Sequence, residues 1–452
     1  MAGRQLTGTS NASIDSPMAP DGPDLLLRRH RAVMPAWLSL YYDEPIELTG
    51  GEGCRVVDSN GKQYLDFFGG ILTTISGHSV PEVVDAVREQ AGRMLHSSTL
   101  YLIRPMIELA ERIAQLSTIP NAKVFFVNSG SEAIETALLL ATTARRSNKV
   151  LALQNSYHGR SFGAGAVTTI PSWSSSSFKP LAVATLPNCD PFRFPGEQTG
   201  HADPMTRCLG EARSTIDEVG PWDIACLVAE PIQGVGGFVV PPDGYLGKVK
   251  SILDEHGILF ISDEVQTGWG RTGEHFWGFQ AHGITPDLMT FAKGLGNGLA
   301  IGGVVGRGEL IDSVSNKSIS TFGGNPLACA GALANLRYLF ENDLQKNALV
   351  VGDKLIAALK QGSEPIAIVG DVRGKGLMIG IELVEAGSKT PNSTAATLVM
   401  EKAKEAGLLI GQGGTYGNVL RLTPPMSITE ADADMAIQIL VDALWATSHS
   451  LA

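Results

Sequence analysis

A chain of 452 residues can form two or three domains with a large core, and a hydrophobic fraction of 44% argues against a disordered protein. The net charge of -11 comes without any basic block, which disfavours nucleic acid and anionic membranes as partners. No apolar run approaches the roughly 20 residues that span a bilayer, so we expect a soluble protein. The five cysteines are widely spaced and form no CxxC pair, which predicts buried, inert thiols and neither a disulfide framework nor a metal site.

The chain begins with a polar segment that is followed by a predicted hairpin. Residues up to about Pro23 are rich in Ser, Gly, Pro and Asp, and they lack the features of a signal or transit peptide. This composition predicts a flexible cytoplasmic tail over residues 1–35. In the next segment, residues 36–80, Asn60-Gly61 lies between two apolar, β-favouring runs and predicts a β-hairpin.

Residues 81–335 are predicted to form a large α/β domain. Short runs rich in Val, Ile, Leu and Phe alternate with helical stretches, which is typical of a buried, largely parallel sheet. In such a sheet, catalytic side chains lie where strands end and loops begin. The predicted strands are residues 123–127, 149–153, 224–229, 258–262, 288–291 and 301–305, and the predicted helices include residues 81–94, 131–146 and 245–256.

The rest of the chain, residues 336–452, is predicted to form a smaller α/β domain. Its apolar pattern again alternates between helix-like and strand-like segments, and no internal repeat is present. The polar stretch 190–206 of the large domain is predicted to be a surface loop. The elements predicted after the large sheet are helices at 326–360 with a break near 341–343, at 393–406 and at 429–446, and strands at 370–383 and 418–423.

The segment around Ser129 runs from a predicted strand into a predicted helix. Ser129 and Glu132, three residues apart, fit a capping box, and the helix start is then free to bind an anion. Its unpaired N–H groups favour phosphate, Gly130 allows close approach of the backbone, and the Ser131 hydroxyl can add a hydrogen bond. A helix cap without any ligand is the alternative interpretation.

Asp263 ends a predicted strand, where its carboxylate is a natural partner for a protonated pyridine nitrogen. Such a pair makes the ring an electron sink. Val265 lies on the same side by strand alternation and can contact the ring, and Gln266 can reach a phenolic oxygen. An Asp-Glu pair at a strand end is otherwise a helix cap or a metal ligand, so this second interpretation stays open.

Tyr157 follows the predicted strand at 149–153 and should emerge near the same edge of the sheet. An aromatic side chain there can stack on the cofactor face opposite Val265. The alternative is a tyrosine that packs only on its neighbours. The adjacent His158 is interpreted as a hydrogen-bonding neighbour rather than as a catalyst.

Lys293 ends an apolar run directly before glycines, a poor place for a solvated lysine. A buried ammonium must lose its proton, find a counter-charge or become a neutral imine. With the strand-end carboxylate of Asp263, this position indicates a lysine imine and an acid that face one ring. That layout is typical of pyridoxal phosphate chemistry.

Two rival classes of function deserve comparison. Gly268-Trp-Gly270-Arg-Thr-Gly273 matches the G-x-G-x-x-G fingerprint of dinucleotide-dependent oxidoreductases, but glycine and aromatic residues follow it instead of a helix. We therefore interpret these glycines as a loop beside the site. A scaffold that retains an enzyme fold without activity is the second rival, and the presence of lysine, acid, anion-binding cap and aromatic argues against it.

Six motifs occur here in the order found in the class III, pyridoxal-phosphate-dependent aminotransferases, and the chain resembles this family over nearly all its length after residue 35. The motifs are Asn128-Ser-Gly-Ser-Glu-Ala133, Tyr157-His-Gly159, Glu230-Pro-Ile-Gln-Gly234, Asp263-Glu-Val-Gln266, Ala292-Lys293-Gly294 and Thr321-Phe-Gly-Gly-Asn-Pro326. The resemblance implies a fold type I large domain, a small domain to which residues 36–80 contribute, and a homodimer with sites at the interface. It also implies transfer of an amino group from an amino donor to a keto acid by a ping-pong mechanism with pyridoxal 5'-phosphate.

The resemblance also implies roles for single residues. Lys293 is implied to form the Schiff base and to move the proton between substrate and cofactor, and Asp263 to pair with the ring nitrogen. The other implied cofactor contacts are Val265 and Tyr157 on the two ring faces, Gln266 at the phenolic oxygen, and Gly130, Ser131 and Thr321 of the neighbouring subunit at the phosphate.

Within the family, the chain looks most like the alanine–glyoxylate aminotransferase 2 subgroup. This likeness is carried by the stretches at 229–235, 370–382 and 421–425, and Arg421 matches an arginine that grips the substrate carboxylate. Many members have a glutamate after Gln-Gly that can engage this arginine, whereas this chain has Val235. We therefore expect Arg421 to stay available, which favours glyoxylate or pyruvate over dicarboxylate acceptors.

The amino donor stays open. Relatives with similar residues handle alanine, β-aminoisobutyrate, 4-aminobutyrate and other ω-amines, so an ω-amine transaminase that uses 2-oxoglutarate or pyruvate is an alternative. Decarboxylases, aminomutases and phospho-lyases share the fold and the residues that bind the cofactor, but they break a different bond of the substrate than aminotransferases do.

Overall fold

The structure, a computed structural model, describes residues 23–174, 176–193 and 203–451. The strands in these ranges, numbered in chain order, are β1 (Leu48–Glu52), β2 (Arg55–Asp58), β3 (Gln63–Asp66), β4 (Ala122–Val127), β5 (Lys149–Leu153), β6 (Ala182–Leu186), β7 (Ile224–Ala229), β8 (Leu259–Asp263), β9 (Leu288–Phe291), β10 (Gly302–Arg307), β11 (Val369–Lys375), β12 (Met378–Leu383), β13 (Leu408–Leu409), β14 (Gly411–Gly413) and β15 (Val419–Leu422).

The helices of the described residues lie mostly between these strands. They are α1 (Pro23–Val33), α2 (Gly69–Leu72), α3 (Pro81–Arg93), α4 (Arg104–Ser117), α5 (Gly130–Arg145), α6 (Phe162–Val167), α7 (Pro204–Val219), α8 (Tyr245–Asp254), α9 (Gly308–Ile311), α10 (Pro326–Glu341), α11 (Leu344–Ser363), α12 (Ser393–Glu405) and α13 (Glu430–Leu451). Short 3-10 turns occur at Pro171–Trp173, Pro221–Asp223, Gly278–His282 and Lys293–Gly296. None of these helices is both long and apolar enough to cross a membrane.

The largest sheet has seven strands in the order β4-β10-β9-β8-β7-β5-β6. Of these strands, β10 alone runs antiparallel to its neighbours. Every residue of β7, β8 and β9 is buried. Apolar side chains of α5 cover one face of the sheet, and those of α7 and α8 cover the other. The α/β fold class with a mostly parallel large sheet, predicted from the sequence, is confirmed.

The observed strands follow the sequence pattern closely. The bounds of β5, β7 and β9 match their predictions, and those of β4, β8 and β10 differ by one or two residues. Strand β6 was not predicted, because it lies at the sheet edge and is only partly buried. Since the parallel strands end at one edge of the sheet, the segments that follow β4, β5, β7, β8 and β9 converge there.

Two four-stranded sheets lie outside the large one. One has the order β1-β2-β3-β13, and its β2–β3 pair is the hairpin predicted at Asn60-Gly61. The parallel pairing of β13 with β3 brings the N-terminal segment against residues 408–409. This pairing supports the predicted grouping of residues 36–80 with 336–452, which we keep as a proposal. The other sheet has the order β11-β12-β15-β14 and is antiparallel throughout.

Three predicted segments need separate comment. Residues 1–22 of the predicted tail lie outside the described residues, while residues 23–33 form α1. The predicted loop at 190–206 also lies partly outside them, and its last three residues begin α7, so the loop prediction is wrong there. The predicted break near 341–343 is confirmed, because α10 ends and α11 begins on either side of it.

Candidate active site

A cavity of about 160 Å³ lies at the carboxyl edge of the seven-stranded sheet. Seven of the nine site residues predicted from the sequence line this cavity, namely Gly130, Ser131, Tyr157, Asp263, Val265, Gln266 and Lys293. The remaining lining residues are Ser129, His158, Gly159 and Glu230. The structure therefore brings together residues that are up to 164 positions apart, between Ser129 and Lys293.

The start of α5 forms one wall of the cavity. Ser129 caps the helix, and its Oγ accepts a hydrogen bond from the Glu132 N–H at 3.2 Å. The Glu132 carboxylate accepts from the Asn128 N–H at 2.9 Å rather than from that of Ser129, so the predicted capping box is only half formed. The first N–H groups of α5 remain available to an anion.

Two glycines allow the backbone to approach closely beside this helix start. A Cβ on Gly130 would lie 3.2 and 3.3 Å from the two Val265 methyl groups. Gly159 has a positive φ of 140°, and a Cβ there would lie 2.5 Å from the Ser131 Oγ. Any larger residue at either position would fill the cradle that the helix start, Ser131 and Val265 enclose.

Asp263 lies at the end of β8 and is held by three donors. Its Oδ2 is 2.7 Å from His158 Nδ1, and its Oδ1 accepts from the Val265 N–H at 3.1 Å and from the Thr290 hydroxyl at 3.3 Å. Burial alone would lower the pKa of His158, but the hydrogen bond and charge of Asp263 outweigh burial and raise it. The sequence interpretation of His158 as a neighbour underestimated this contact.

The adjacent acid, Glu264, accepts hydrogen bonds from the surrounding protein and does not line the cavity. It is fully buried, and its carboxylate accepts from the N–H groups of Gly278 and Phe279, both at 2.8 Å. The hydroxyls of Ser262 and Thr267 donate to it as well. The alternative interpretation of the Asp-Glu pair as a cap thus applies to Glu264, whereas Asp263 faces the cavity.

Glu230 is a cavity residue that the sequence reasoning did not assign. It follows β7 and is buried, with its Oε1 accepting from the Tyr157 N–H at 3.0 Å and its Oε2 from the Gly234 N–H at 2.8 Å. Burial raises the pKa of this carboxyl. The residue ties the segment after β5 to the segment after β7, and its place in the motif Glu230-Pro-Ile-Gln-Gly234 was the available signal.

Lys293 follows β9 and opens a 3-10 turn with a strained φ of 39°. The pKa of its amine is lowered to about 8, chiefly by burial and also by the nearby charge of Arg421, while Asp263 and Glu230 act in the opposite direction. A lysine with this pKa is partly neutral near physiological pH and can act as a nucleophile.

Tyr157 is half-buried in the cavity wall. Its ring meets Trp173 edge to face, with centroids 5.4 Å apart. Tyr157 therefore both packs on a neighbouring side chain, as the alternative interpretation predicted, and lines the cavity.

Arg421 lies on β15, behind Gln266. Its Nη2 donates to the Gln266 Oε1 at 3.0 Å, and among the described residues no carboxylate lies within ion-pair distance of it. Its Nε also lacks a partner within the described part of the chain. Burial lowers the pKa of Arg421 to about 10. A buried guanidinium without an acid is a site for an anion.

Val235 lies close to Arg421, on the loop after β7. A Cβ on Gly413 would lie 2.6 Å from the Arg421 Cδ and 3.1 Å from the Val235 carbonyl oxygen. Val235 is itself buried.

Two further predictions concern residues outside the cavity lining. Thr321 is exposed, between the exposed side chains of Ile319 and Phe322. The glycines at 268–273 lie in consecutive turns that open no helix, as the loop interpretation predicted. Within this loop Trp269 is buried and contacts the backbone beside Lys293, since a Cβ on Gly294 would lie 3.3 Å from its ring. The dinucleotide interpretation has no structural support.

Comparisons with known proteins agree with this geometry. The sequence model of the family described as "Aminotransferase class-III" matches residues 41–444. Alanine–glyoxylate aminotransferase 2 homolog 2, mitochondrial, of Arabidopsis thaliana is 37% identical and covers 94% of this chain and 88% of its own length. Alanine–glyoxylate aminotransferase 2, mitochondrial, of Homo sapiens is 34% identical over 95% of this chain and 87% of its own. The crystal structure of an (S)-enantioselective ω-transaminase from Thermomicrobium roseum has a TM-score of 0.87 and 33% identity over 95% of this chain and all of that one.

Proposed function

Because the chain belongs to the class-III aminotransferases and is therefore a pyridoxal-phosphate-dependent transaminase of amino acids or ω-amino acids, we propose that it delivers the amino group to glyoxylate or pyruvate. The observation that carries this proposal is the environment of Arg421. A buried guanidinium without an acidic partner binds a small carboxylate in either half of the reaction.

The cavity residues fit pyridoxal 5'-phosphate. The glycines at 130 and 159 leave a cradle that any Cβ would fill, next to free N–H groups at the start of α5. Asp263, which His158 holds at 2.7 Å, can pair with a protonated pyridine nitrogen. When bound, the cofactor supplies an aromatic ring that withdraws electrons from the substrate carbon.

We assign the following roles to the residues around the ring. Asp263 keeps the pyridine nitrogen protonated through a charge-assisted hydrogen bond, and His158 holds the Asp263 carboxylate in place. Gln266 uses its carbonyl oxygen for Arg421, which leaves its NH₂ group free to donate to the phenolic oxygen. Tyr157 and Val265 would contact the two faces of the ring, while Gly130 and Ser131 would hold the phosphate.

Lys293 is assigned two successive tasks. Its ε-amine would hold the cofactor until the amino substrate displaces it, and the freed amine would then accept the α-proton of the substrate and return it on the cofactor side. Both tasks need an unprotonated amine, which a pKa of about 8 supports. After the keto product leaves, the acceptor runs the same steps in reverse, which gives ping-pong kinetics.

The acceptor proposal is tested with a panel of keto acids. With alanine as donor, isotopically labelled when pyruvate is the acceptor because product and substrate are then the same compounds, we expect glyoxylate and pyruvate to give a higher kcat/KM than 2-oxoglutarate. Among the described residues no acid pairs with Arg421 and draws it away from a small carboxylate. A clear preference for 2-oxoglutarate would contradict the proposal. Chromatography of the products also separates transamination from decarboxylation, aminomutation and phosphate elimination.

An ω-amine transaminase is the second candidate, favoured by the likeness to the T. roseum ω-transaminase. It predicts that 4-aminobutyrate or β-aminoisobutyrate is a better donor than alanine when glyoxylate is the acceptor. The two candidates are distinguished by the kcat/KM of each donor in the same assay.

We also propose a homodimer, in which Thr321 reaches the phosphate of the neighbouring site. Thr321 lies in sequence between the exposed apolar residues Ile319 and Phe322, and the Phe322 ring is 5.1 Å from that of His96. Light scattering should give twice the chain mass. Thr321→Val should weaken cofactor binding without changing that mass, and a monomer of full activity would contradict the proposal.

The cellular location remains a proposal as well. We propose a cytoplasmic location, whereas the plant and human relatives named above are mitochondrial. Fractionation of cells that express the tagged protein is the direct test.

A further inference from the structure

Four residues stand side by side across the sheet that carries Arg421. Arg373 on β11 pairs with Gly380 on β12, Gly380 pairs with Arg421 on β15, and Arg421 pairs with Gly411 on β14. Directly paired residues of an antiparallel sheet project from the same face. The row therefore alternates arginine and glycine, and each glycine leaves a notch beside Arg421.

The notch at Gly380 holds the peptide of Gly237 and Phe238. A Cβ on Gly380 would lie 3.0 Å from the Gly237 carbonyl oxygen and 3.5 Å from the Phe238 Cβ. Phe238 is fully buried and has a strained φ of 52°, so its backbone needs an external restraint. Its ring centroid lies 4.6 Å from the Arg421 guanidinium carbon.

Arg373, at the end of the row, supplies this restraint. Its Nε and Nη2 both donate to the Gly237 carbonyl oxygen, at 3.0 and 2.7 Å. Its Nη1 donates to Glu382 Oε2 at 2.6 Å and to Asp371 Oδ2 at 3.0 Å, which fixes the plane of the guanidinium. These hydrogen bonds of Arg373 thus hold the strained Gly237–Phe238 peptide in the notch at Gly380.

The notch at Gly411 holds a second aromatic ring. A Cβ on Gly411 would lie 2.1 Å from the Phe68 Cε2, so no larger residue fits beside this ring. Phe68 lies 5.5 Å from the Arg421 guanidinium carbon, and the Tyr41 ring stacks behind it at 5.7 Å. Arg421 consequently lies between the Phe238 and Phe68 rings, with Gln266 on a third side.

We propose that Phe238, which Arg373 holds in the notch at Gly380, and Phe68, in the notch at Gly411, keep the Arg421 guanidinium in one place, so that both the amino donor and the keto acid must carry a carboxylate next to the reacting carbon. This inference rests on the proposed function of Arg421. It predicts that α-amino acids are substrates and that amines without a carboxylate are poor ones. Phe68, Phe238 and Arg373 act as positioning residues, because they reach the substrate only through Arg421.

The experiment compares Phe238→Leu and Arg373→Met with the unmodified holoenzyme. The dissociation constant of propanoate, a carboxylate that cannot react, is measured by calorimetry, and kcat/KM is measured for alanine and for ethylamine, which differs from alanine by the carboxylate. Each variant should weaken propanoate binding about ten-fold and raise the KM of alanine similarly, with kcat for alanine changed by less than about three-fold. The preference for alanine over ethylamine should fall by the same factor, because ethylamine does not use Arg421.

Two further variants make the result decisive. Phe279→Leu, a matched change of another buried phenylalanine, should leave propanoate binding and the alanine preference unaltered. Arg421→Met tests the proposed function itself and should abolish propanoate binding. Suppose that Arg421→Met abolishes propanoate binding while Phe238→Leu and Arg373→Met leave it intact. The positioning inference is then overturned, and the proposed function of Arg421 stands. If Arg421→Met leaves propanoate binding unchanged, the proposed function of Arg421 fails and the inference fails with it.

Discussion

The cofactor end of the active site is built from segments that directly follow β4, β5, β8 and β9, whereas the carboxylate end is built from a row across antiparallel strands and two rings from distant loops. The two ends also carry side chains of opposite charge type, an acid at the cofactor end and an arginine at the carboxylate end. Asp263 at the cofactor end is paired with His158 and suits a cationic ring nitrogen, while Arg421 at the other end has no acid among the described residues and suits an anion. By the roles proposed above, one sheet edge would provide the chemistry, and a separate arrangement that depends on strand register would select the substrate.

The largest expected effect lies at the cofactor end, with Lys293→Ala. This change removes both the covalent attachment and the proton carrier, so turnover should fall by at least about 1000-fold. Pyridoxal phosphate should still bind, because the phosphate cradle and Asp263 remain. Steady-state transamination and the cofactor content after dialysis measure the two effects.

Borohydride treatment provides the control for this variant. The unmodified protein should gain the mass of the reduced cofactor at Lys293, and the variant should not gain it. Appreciable transaminase activity of Lys293→Ala would disprove the assignment of this residue.

Asp263→Asn should have the next largest effect. A neutral amide no longer holds a proton on the ring nitrogen, and kcat should fall about 100-fold. His158→Gln should lower kcat less, because Asp263 keeps its hydrogen bonds from Val265 and Thr290. An equal loss in both variants would mean that His158 takes part more directly than as a support for Asp263.

Much of this site could be predicted from the sequence, and the parts that could not share a physical reason. Lys293 and Asp263 each end a short apolar run, and a parallel sheet brings such ends together whatever the details of packing. The contact of His158 with Asp263 depends on how the segment after β5 folds back, which no local pattern encodes. The row of Arg373, Gly380 and Arg421 depends on strand register. Residues 370–383 were predicted to be extended. That they divide into β11 and β12, and that β12 pairs with β15, depends on contacts between residues far apart in the sequence.

Val235→Glu tests the carboxylate end. A glutamate at this position lies near the Arg421 side chain and can pair with the guanidinium, so it should compete with the substrate and raise the KM of glyoxylate about ten-fold. Val235→Gln has nearly the same length without the charge and should raise this KM much less. Equal effects of the two variants would show that the size of the side chain at position 235, and not its charge, changes the KM of glyoxylate. The argument from Val235 would then fail.

The pKa of Lys293 connects the two ends and gives a pH dependence. A pKa of about 8 means that the amine of the cofactor-free protein loses its proton at lower pH than an ordinary lysine does. The rate of cofactor attachment should therefore rise with pH to a plateau, with a midpoint near 8. Absorbance near 420 nm follows the reaction, and N-acetyl-lysine under the same conditions serves as the reference.

Arg421→Met sharpens this measurement. The charge of Arg421 is one cause of the low pKa, so its removal should raise the midpoint of the attachment rate. A midpoint that stays the same in this variant would mean that burial alone lowers the pKa of Lys293 and that the two ends are electrostatically independent.

The smallest expected effect concerns the cap of α5. Ser129→Ala removes the acceptor of the Glu132 N–H and should lower the free energy of unfolding of the cofactor-free protein by about 1 kcal/mol, measured in urea. Ser129→Asp keeps a good cap but places a negative charge beside the phosphate position. If the helix start binds phosphate, Ser129→Asp should preserve the stability of the cofactor-free protein and weaken cofactor binding. If the start of α5 is only a cap, cofactor binding should be the same in Ser129→Asp and in the unmodified protein.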